Sequence, residues 1–244
     1  MEKQSCPAPL EGLSPQEIYT LCGAIDIESL FGLGDKKTLL RQSEDHAEAL
    51  KESLKKKEIL DSEGKLTKRA VLLIKALETY SQSKEYARIN NLWIALSGTR
   101  KEDHVVILFE DEKDASYRLE LWPRKRIISL LMATYDFFRK PADAKDFEYL
   151  RRDLEESDLE RAKKTELTDR PVLNVEWFRR PAAKDTQIGY EHKLFFSDNG
   201  EIVQLDIVEQ TYAHASLFYL YKQVFDWLHI PCGKEALMNH GPKH

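Results

Sequence analysis

The chain has 244 residues, 42% hydrophobic, 10% aromatic and 32% charged, a balance that excludes collagen-like and low-complexity classes and supplies enough apolar material for a self-supporting globular core. Against 42 Asp and Glu stand 37 Lys and Arg, a net charge of −5, so no general positive field draws in polyanions and nucleic acid is not a favoured partner. Three cysteines at unrelated spacings, Cys6, Cys22 and Cys232, read as reduced thiols and not as a disulfide framework.

The first ten residues carry polar side chains and two prolines where a signal peptide needs an apolar run. The longest uncharged stretch beside a hydrophobic helix, Gln210 to Tyr221, is 12 residues, against about 20 for a membrane span. The expectation is a cytoplasmic protein with no membrane span. Residues 1–12 read as a flexible tail.

Leu13-Ser14-Pro15-Gln16-Glu17-Ile18 then combines the signs of a helix start: Ser14 as cap, Pro15 in the first turn, Glu17 completing a capping box, and Leu13 stapling onto Ile18. That helix buries Ile18, Leu21 and Ile25 and stops at Phe31-Gly32-Leu33-Gly34. From Lys36 to Arg69, charges surround the sparse anchors Leu50, Leu54 and Ile59, as on a surface helix. Ser62-Glu63-Gly64 makes a turn, Thr67 caps the next helix, and Ala70, Leu73, Leu77 and Tyr80 recur at helical steps that point into a core.

The period then changes to that of strands at Leu92–Leu96, His104–Phe109 and Tyr117–Trp122. Pro123 closes the third, and the helix that follows places Ile128, Leu131, Tyr135 and Phe138 on one face. Asp143 to Arg170 is a solvated helix or linker, with Phe147, Leu150, Leu154 and Leu159 as its main apolar positions. Three more strands follow at Val172–Phe178, Ile188–Phe196 and Ile202–Val208, the last two joined through Asn199-Gly200, a pair that tolerates positive φ. A final helix carries the stripe Leu217, Tyr221, Val224 and Leu228, widened by Leu220 and Trp227, and ends at Pro231 and Gly233. The second half thus repeats the first. This predicts an α+β fold with a central six-stranded antiparallel sheet of pseudo-twofold symmetry, flanked by helical layers: one domain over 13–230, made of halves 13–142 and 143–230, with 231–244 a second tail.

No catalytic signature accompanies this organisation. His229, Cys232, His240 and His244 lack the spacing of a zinc site, and His229 is better placed as a helix C-terminal residue. Gly32-Leu33-Gly34 lacks the glycine spacing and Lys-Ser/Thr ending of a phosphate loop, and three scattered Ser-x-x-Lys matches (Ser53, Ser62, Ser81) are chance. The reading is a non-enzyme without cofactor or metal. One alternative is a winged-helix DNA-binding regulator, in which Lys55, Lys56, Lys57, Lys65, Lys68 and Arg69 form a basic patch, although Glu52, Glu58, Asp61 and Glu63 interleave it.

The order of elements, with Leu13–Leu21, Leu54–Leu66, the Leu72–Leu77 helix, the Leu92–Ser97 strand and the Tyr117–Phe138 strand-helix unit, resembles the EspG family of type VII secretion chaperones. The resemblance implies a cytosolic binding protein that docks the apolar tip of a helical secretion substrate and keeps it soluble for export, without a nucleotide, and it leaves room for a homodimer. In that family the connection between the second and third strands and the C-terminal helical bundle supply the substrate surface. Carried onto this chain, the resemblance implies Asp111, Glu112, Lys113 and Asp114 in the connection and Phe218 and Phe225 on the last helix as protein-binding residues. The chain is richer in Lys and Glu than mycobacterial members, which points to another Gram-positive lineage.

Overall fold

The computed structural model describes residues 12–41, 47–96, 104–168, 170–181 and 189–230. The two predicted tails, apart from Gly12, lie outside them. The chain divides into two compact units, Met1–Tyr86 with Asn91–Trp122, and Ala87–Asn90 with Pro123–His244.

The first unit opens with helix α1 (Pro15–Cys22), whose capping box forms as the sequence predicts: Glu17 N donates to Ser14 Oγ and Ser14 N to Glu17 Oε2. Leu13 and Ile18 are both buried. The charged stretch after it is two helices and not one, α2 (Lys36–Arg41) and α3 (Ala47–Lys56). α3 ends in a Schellman arrangement, with Ile59 N on Leu54 O, Glu58 N on Lys55 O, and Glu58 at φ +56. A tight turn around Gly64 follows, its limbs joined by a Leu60–Leu66 bridge. Helix α4 (Lys68–Ser81) starts where Thr67 Oγ1 accepts from Ala70 N, and its predicted stripe Ala70, Leu73, Leu77 and Tyr80 is buried. α1 packs on α2, α3 and α4, and α4 packs on strand β3. The strands of this unit are β1 (Glu85–Ile89, from Ala87 on in the second unit), β2 (Leu92–Ala95), β3 (His104–Asp111) and β4 (Ser116–Pro123). Val105 to Leu108 of β3 are all buried, the continuous run of a strand covered on both faces.

In the second unit, helix α5 (Ile127–Thr134) is shorter than the periodicity suggested. It stops at Tyr135, in extended backbone, and a 3-10 turn (Asp136–Arg139) then buries Phe137 and Phe138. The charged segment after it is neither one helix nor a bare linker. It holds a 3-10 turn (Lys145–Phe147), a short strand β5 (Arg151–Asp153) and helix α6 (Glu156–Lys164), whose Ala162 packs with Phe196 and Val203. β6 (Val172–Arg179), β7 (Gly189–Asp198), β8 (Glu201–Asp206) and β9 (Thr211–Ala215) form antiparallel pairs in sequence. The β7–β8 hairpin turns through Asn199 at φ +48 and Gly200 at φ +84, the two positive dihedrals the Asn-Gly pair announced. Helix α7 (Leu217–Trp227) is capped by Ser216 and buries Leu217, Leu220, Val224 and Trp227.

The strands run in the order β4-β3-β2-β1-β6-β7-β8-β9-β5. The α+β class holds, but the sheet has nine strands and not six. β1 escaped because Glu85-Tyr86-Ala87-Arg88-Ile89 mixes charge with apolar residues directly after a helix. The β9 residues sit in an uncharged run continuous with the α7 sequence, where short apolar segments do not declare their period. β5 is three exposed charged residues, a strand only by virtue of its pairing with β9.

Candidate functional site

In the first unit, Asp111 ends β3, and Glu112, Lys113 and Asp114 form the exposed turn into β4, closed by Ala115 at φ +47. Asp111 serves the turn itself: its Oδ1 accepts from Lys113 N at 3.1 Å. The carboxylates and ammonium of the next three residues project outward. Asp114 also lines an open groove with Gly12, Ser14, Leu50, Ser53 and Lys57. The floor of that groove is a polar knot. Glu17, 2% exposed, accepts from Ser53 Oγ at 2.7 Å and Lys57 Nζ at 2.6 Å, and Lys57 Nζ also reaches Gly12 O at 2.6 Å. This knot ties α3 to the start of α1.

The second unit holds the predicted aromatics. Phe218 and Phe225, seven residues apart on α7, share a half-buried face with Lys222 between them, the i, i+4, i+7 spacing of one helix stripe. The other stripe faces the core. Phe218 does not stand alone: Phe147 meets its ring edge-on, centroids 5.0 Å apart, while remaining 73% exposed, and Leu150 beside it is 50% exposed. The segment that carries these two is anchored at the head of α7. Leu217 N donates to Asp146 Oδ1, Ser216 N donates to Leu150 O, and β5 continues along β9. An exposed Phe on an ordered turn, packed edge-on against a second aromatic, makes an exposed apolar patch. Phe218 is legible from sequence as an aromatic off the buried stripe of α7, whereas the sequence around Phe147 and Leu150 marks them only as apolar positions of a charged segment.

The basic residues of the regulator reading are mostly engaged. Lys57 turns inward to Glu17, Lys55 pairs with Glu52 at 2.8 Å, Lys65 with Glu63 at 2.6 Å, and Arg69 with Glu58 at 3.7 Å. The interleaved acids noted in the sequence neutralise the face that DNA would need. Elsewhere, His214 is buried with Nδ1 2.9 Å from Glu201 Oε2, out of hydrogen-bond alignment, and Nε2 3.7 Å from Asp158 Oδ2. Arg161 donates to Asp158 and holds that carboxyl below its usual range. Among the described residues no group of three or more His, Cys, Asp or Glu is arranged to hold a metal ion, and no helix is long and apolar enough to cross a membrane.

Comparison with known proteins agrees with this picture at the level of fold. The structure is similar to that of the Mycobacterium tuberculosis type VII secretion system chaperone EspG5, solved in complex with the PE25-PPE41 dimer, with a TM-score of 0.54 and 10% sequence identity over 89% of this chain and 93% of that one. The fold is therefore EspG-like, as the order of elements implied. No curated protein matches the sequence. A family model described as "Domain of unknown function (DUF5081)" matches residues 9–236, and the chain belongs to that family.

Proposed function

We propose that this protein is a non-enzymatic cytosolic chaperone or accessory factor of a type VII secretion system, which binds a helical secretion substrate and keeps it soluble for export. The observation that carries the reading is the Phe147–Phe218 pair with Leu150, an apolar patch displayed on an EspG-like fold, the fold of a chaperone whose structure was solved in complex with a PE25-PPE41 dimer. The mechanism is masking. An apolar helical tip exposed in the free substrate buries itself against the aromatic patch, which removes the surface through which the substrate would aggregate. Binding energy alone does this, and no bond is made or broken. Phe225 extends the patch along α7. The charges of Glu112, Lys113 and Asp114, with Asp111 shaping their turn, steer the encounter with a complementary client.

The test is co-expression with helical-hairpin substrates of the host's type VII secretion system, followed by affinity purification and titration. Phe147→Ser and Phe218→Ser lose at least about tenfold in affinity, the range of an interface anchor, with an unchanged melting temperature for the exposed Phe147. Glu112→Lys, which removes the net negative charge of the turn, slows association and weakens its salt dependence. Undiminished capture by the Phe147→Ser, Phe218→Ser double variant refutes the site, and failure of every helical substrate to co-purify refutes the function.

A further inference from the structure

The outward face of α4 lies in the first unit and plays no part in the site above. Its inner stripe packs into the core, which leaves Lys68, Val71, Leu72 and Lys75 on the opposite face. Leu72 is 59% exposed and Val71 44%, and Leu66, just before the helix, is 45% exposed. Leu66 is held out by a rigid turn: Asp61 Oδ1 accepts from both Glu63 N and Lys65 N, Leu66 bridges to Leu60, and Thr67 N donates to Ile59 O. An apolar side chain displayed on so well tied a turn has already lost the freedom that binding would otherwise cost.

Lys68 and Lys75 are two helical turns apart, about 10 Å along the axis, with Val71 and Leu72 between them. Neither lysine makes an ion pair within 4 Å among the described residues, whereas the neighbouring Arg69 and Lys65 do. The pattern is a short apolar strip with a cation at each end that makes no ion pair within 4 Å among the described residues, and exposed Glu78 follows one turn beyond Lys75. We infer that this face of α4, extended by Leu66, docks an acidic amphipathic helix of a protein partner, whose apolar side chains pack on Leu66, Val71 and Leu72 while carboxylates two turns apart meet Lys68 and Lys75.

The spacing at 68, 71, 72 and 75 is that of a helix seam and matches a partner with the same period. A second copy fits badly, because a twofold pairing through this face sets Lys68 and Lys75 against the partner's own lysines. A lipid surface fits badly as well, because three aliphatic side chains and no aromatic offer little to insert.

The experiment is fluorescence anisotropy on the full chain with a labelled peptide of about 18 residues, long enough to hold a helix, with leucine on one face and glutamate on its flanks. A matched peptide carries lysine in place of glutamate. The expected result is saturable binding of the Glu peptide only, weakened about tenfold by Leu72→Glu and by the Lys68→Glu, Lys75→Glu double variant, which in turn gains affinity for the Lys peptide. The charge-reversal variant keeps the test valid should Leu72→Glu disturb folding. Equal binding of both peptides, or Glu-peptide binding indifferent to both variants, overturns the inference. So does self-association abolished by Leu72→Glu, which assigns the face to a second copy, and so does binding to phosphatidylserine vesicles without peptide binding. Phe147→Ser leaves the peptide affinity unchanged, so this surface and the proposed client site fail or stand separately.

Discussion

Replacing Lys57 by methionine strands a carboxylate. Glu17 is 2% exposed and Lys57 28%, so their ion pair lies between surface pairs, worth about 0–1 kcal/mol, and fully buried ones, whose rupture costs about 3–5 kcal/mol. Methionine keeps most of the alkyl stem, so what is lost is the ammonium: its 2.6 Å contact to Glu17 Oε2 and its 2.6 Å donation to Gly12 O. Glu17 retains Ser14 N–H and the Ser53 hydroxyl as donors, which softens the loss. The expected cost is about 3 kcal/mol for Lys57→Met and about 2 kcal/mol for Glu17→Gln, which gives up the charge but keeps one acceptor. In the double variant no uncompensated charge remains, so the total stays near about 3 kcal/mol and the coupling is about 2 kcal/mol. Urea unfolding followed by circular dichroism measures each corner of the cycle, with an unchanged m-value confirming that the compactness of the end states is preserved. A cost below about 1 kcal/mol for Lys57→Met, or single effects that add to within about 0.5 kcal/mol, would show that the knot behaves as an ordinary surface pair and refute the reasoning.

Two glycines with positive φ separate steric from conformational cost. Alanine at Gly32 (φ +82) puts its Cβ 2.5 Å from Trp93 Cδ2, whereas alanine at Gly200 (φ +84) meets nothing within 4 Å; thermal unfolding is expected to show about 1 kcal/mol lost at Gly200 and at least twice that at Gly32, and equal losses would contradict the contact. Cys22 is fully buried, and burial pushes its thiol up to about 11 against the opposing pull of Lys36. Native protein should therefore leave Cys22 unlabelled by thiol reagents at pH 8, with labelling only on unfolding. The same raised value means that the unfolded state releases this proton first, so the contribution of Cys22 to stability is intact below about pH 9 and falls as pH rises toward 11; a variant Cys22→Ala should show a shallower alkaline decline, and an identical decline would remove Cys22 as a cause.

The features that can be read from the chain without its fold are local. The Ser14–Glu17 capping box, the Thr67 cap, the Asn199-Gly200 turn and the buried stripes of α4 and α7 each follow from chemistry contained within a few neighbouring residues, so they are legible without knowing the rest of the chain. Phe218 and Phe225 were legible as aromatics lying off the buried stripe of α7. Tertiary structure decided whatever depends on a distant partner. Arg151–Asp153 is a strand because Ala213–Ala215 pairs with it, and nothing in Arg-Arg-Asp says so. Phe147 belongs to the aromatic patch because Asp146 and Leu150 are hydrogen-bonded to the head of α7, some 70 residues on. Lys57 is a structural tie and not part of a basic patch because Glu17, 40 residues away, waits for it in the core. Backbone propensity acts over one turn, whereas pairing and charge neutralisation are settled by which surfaces the folded chain brings together.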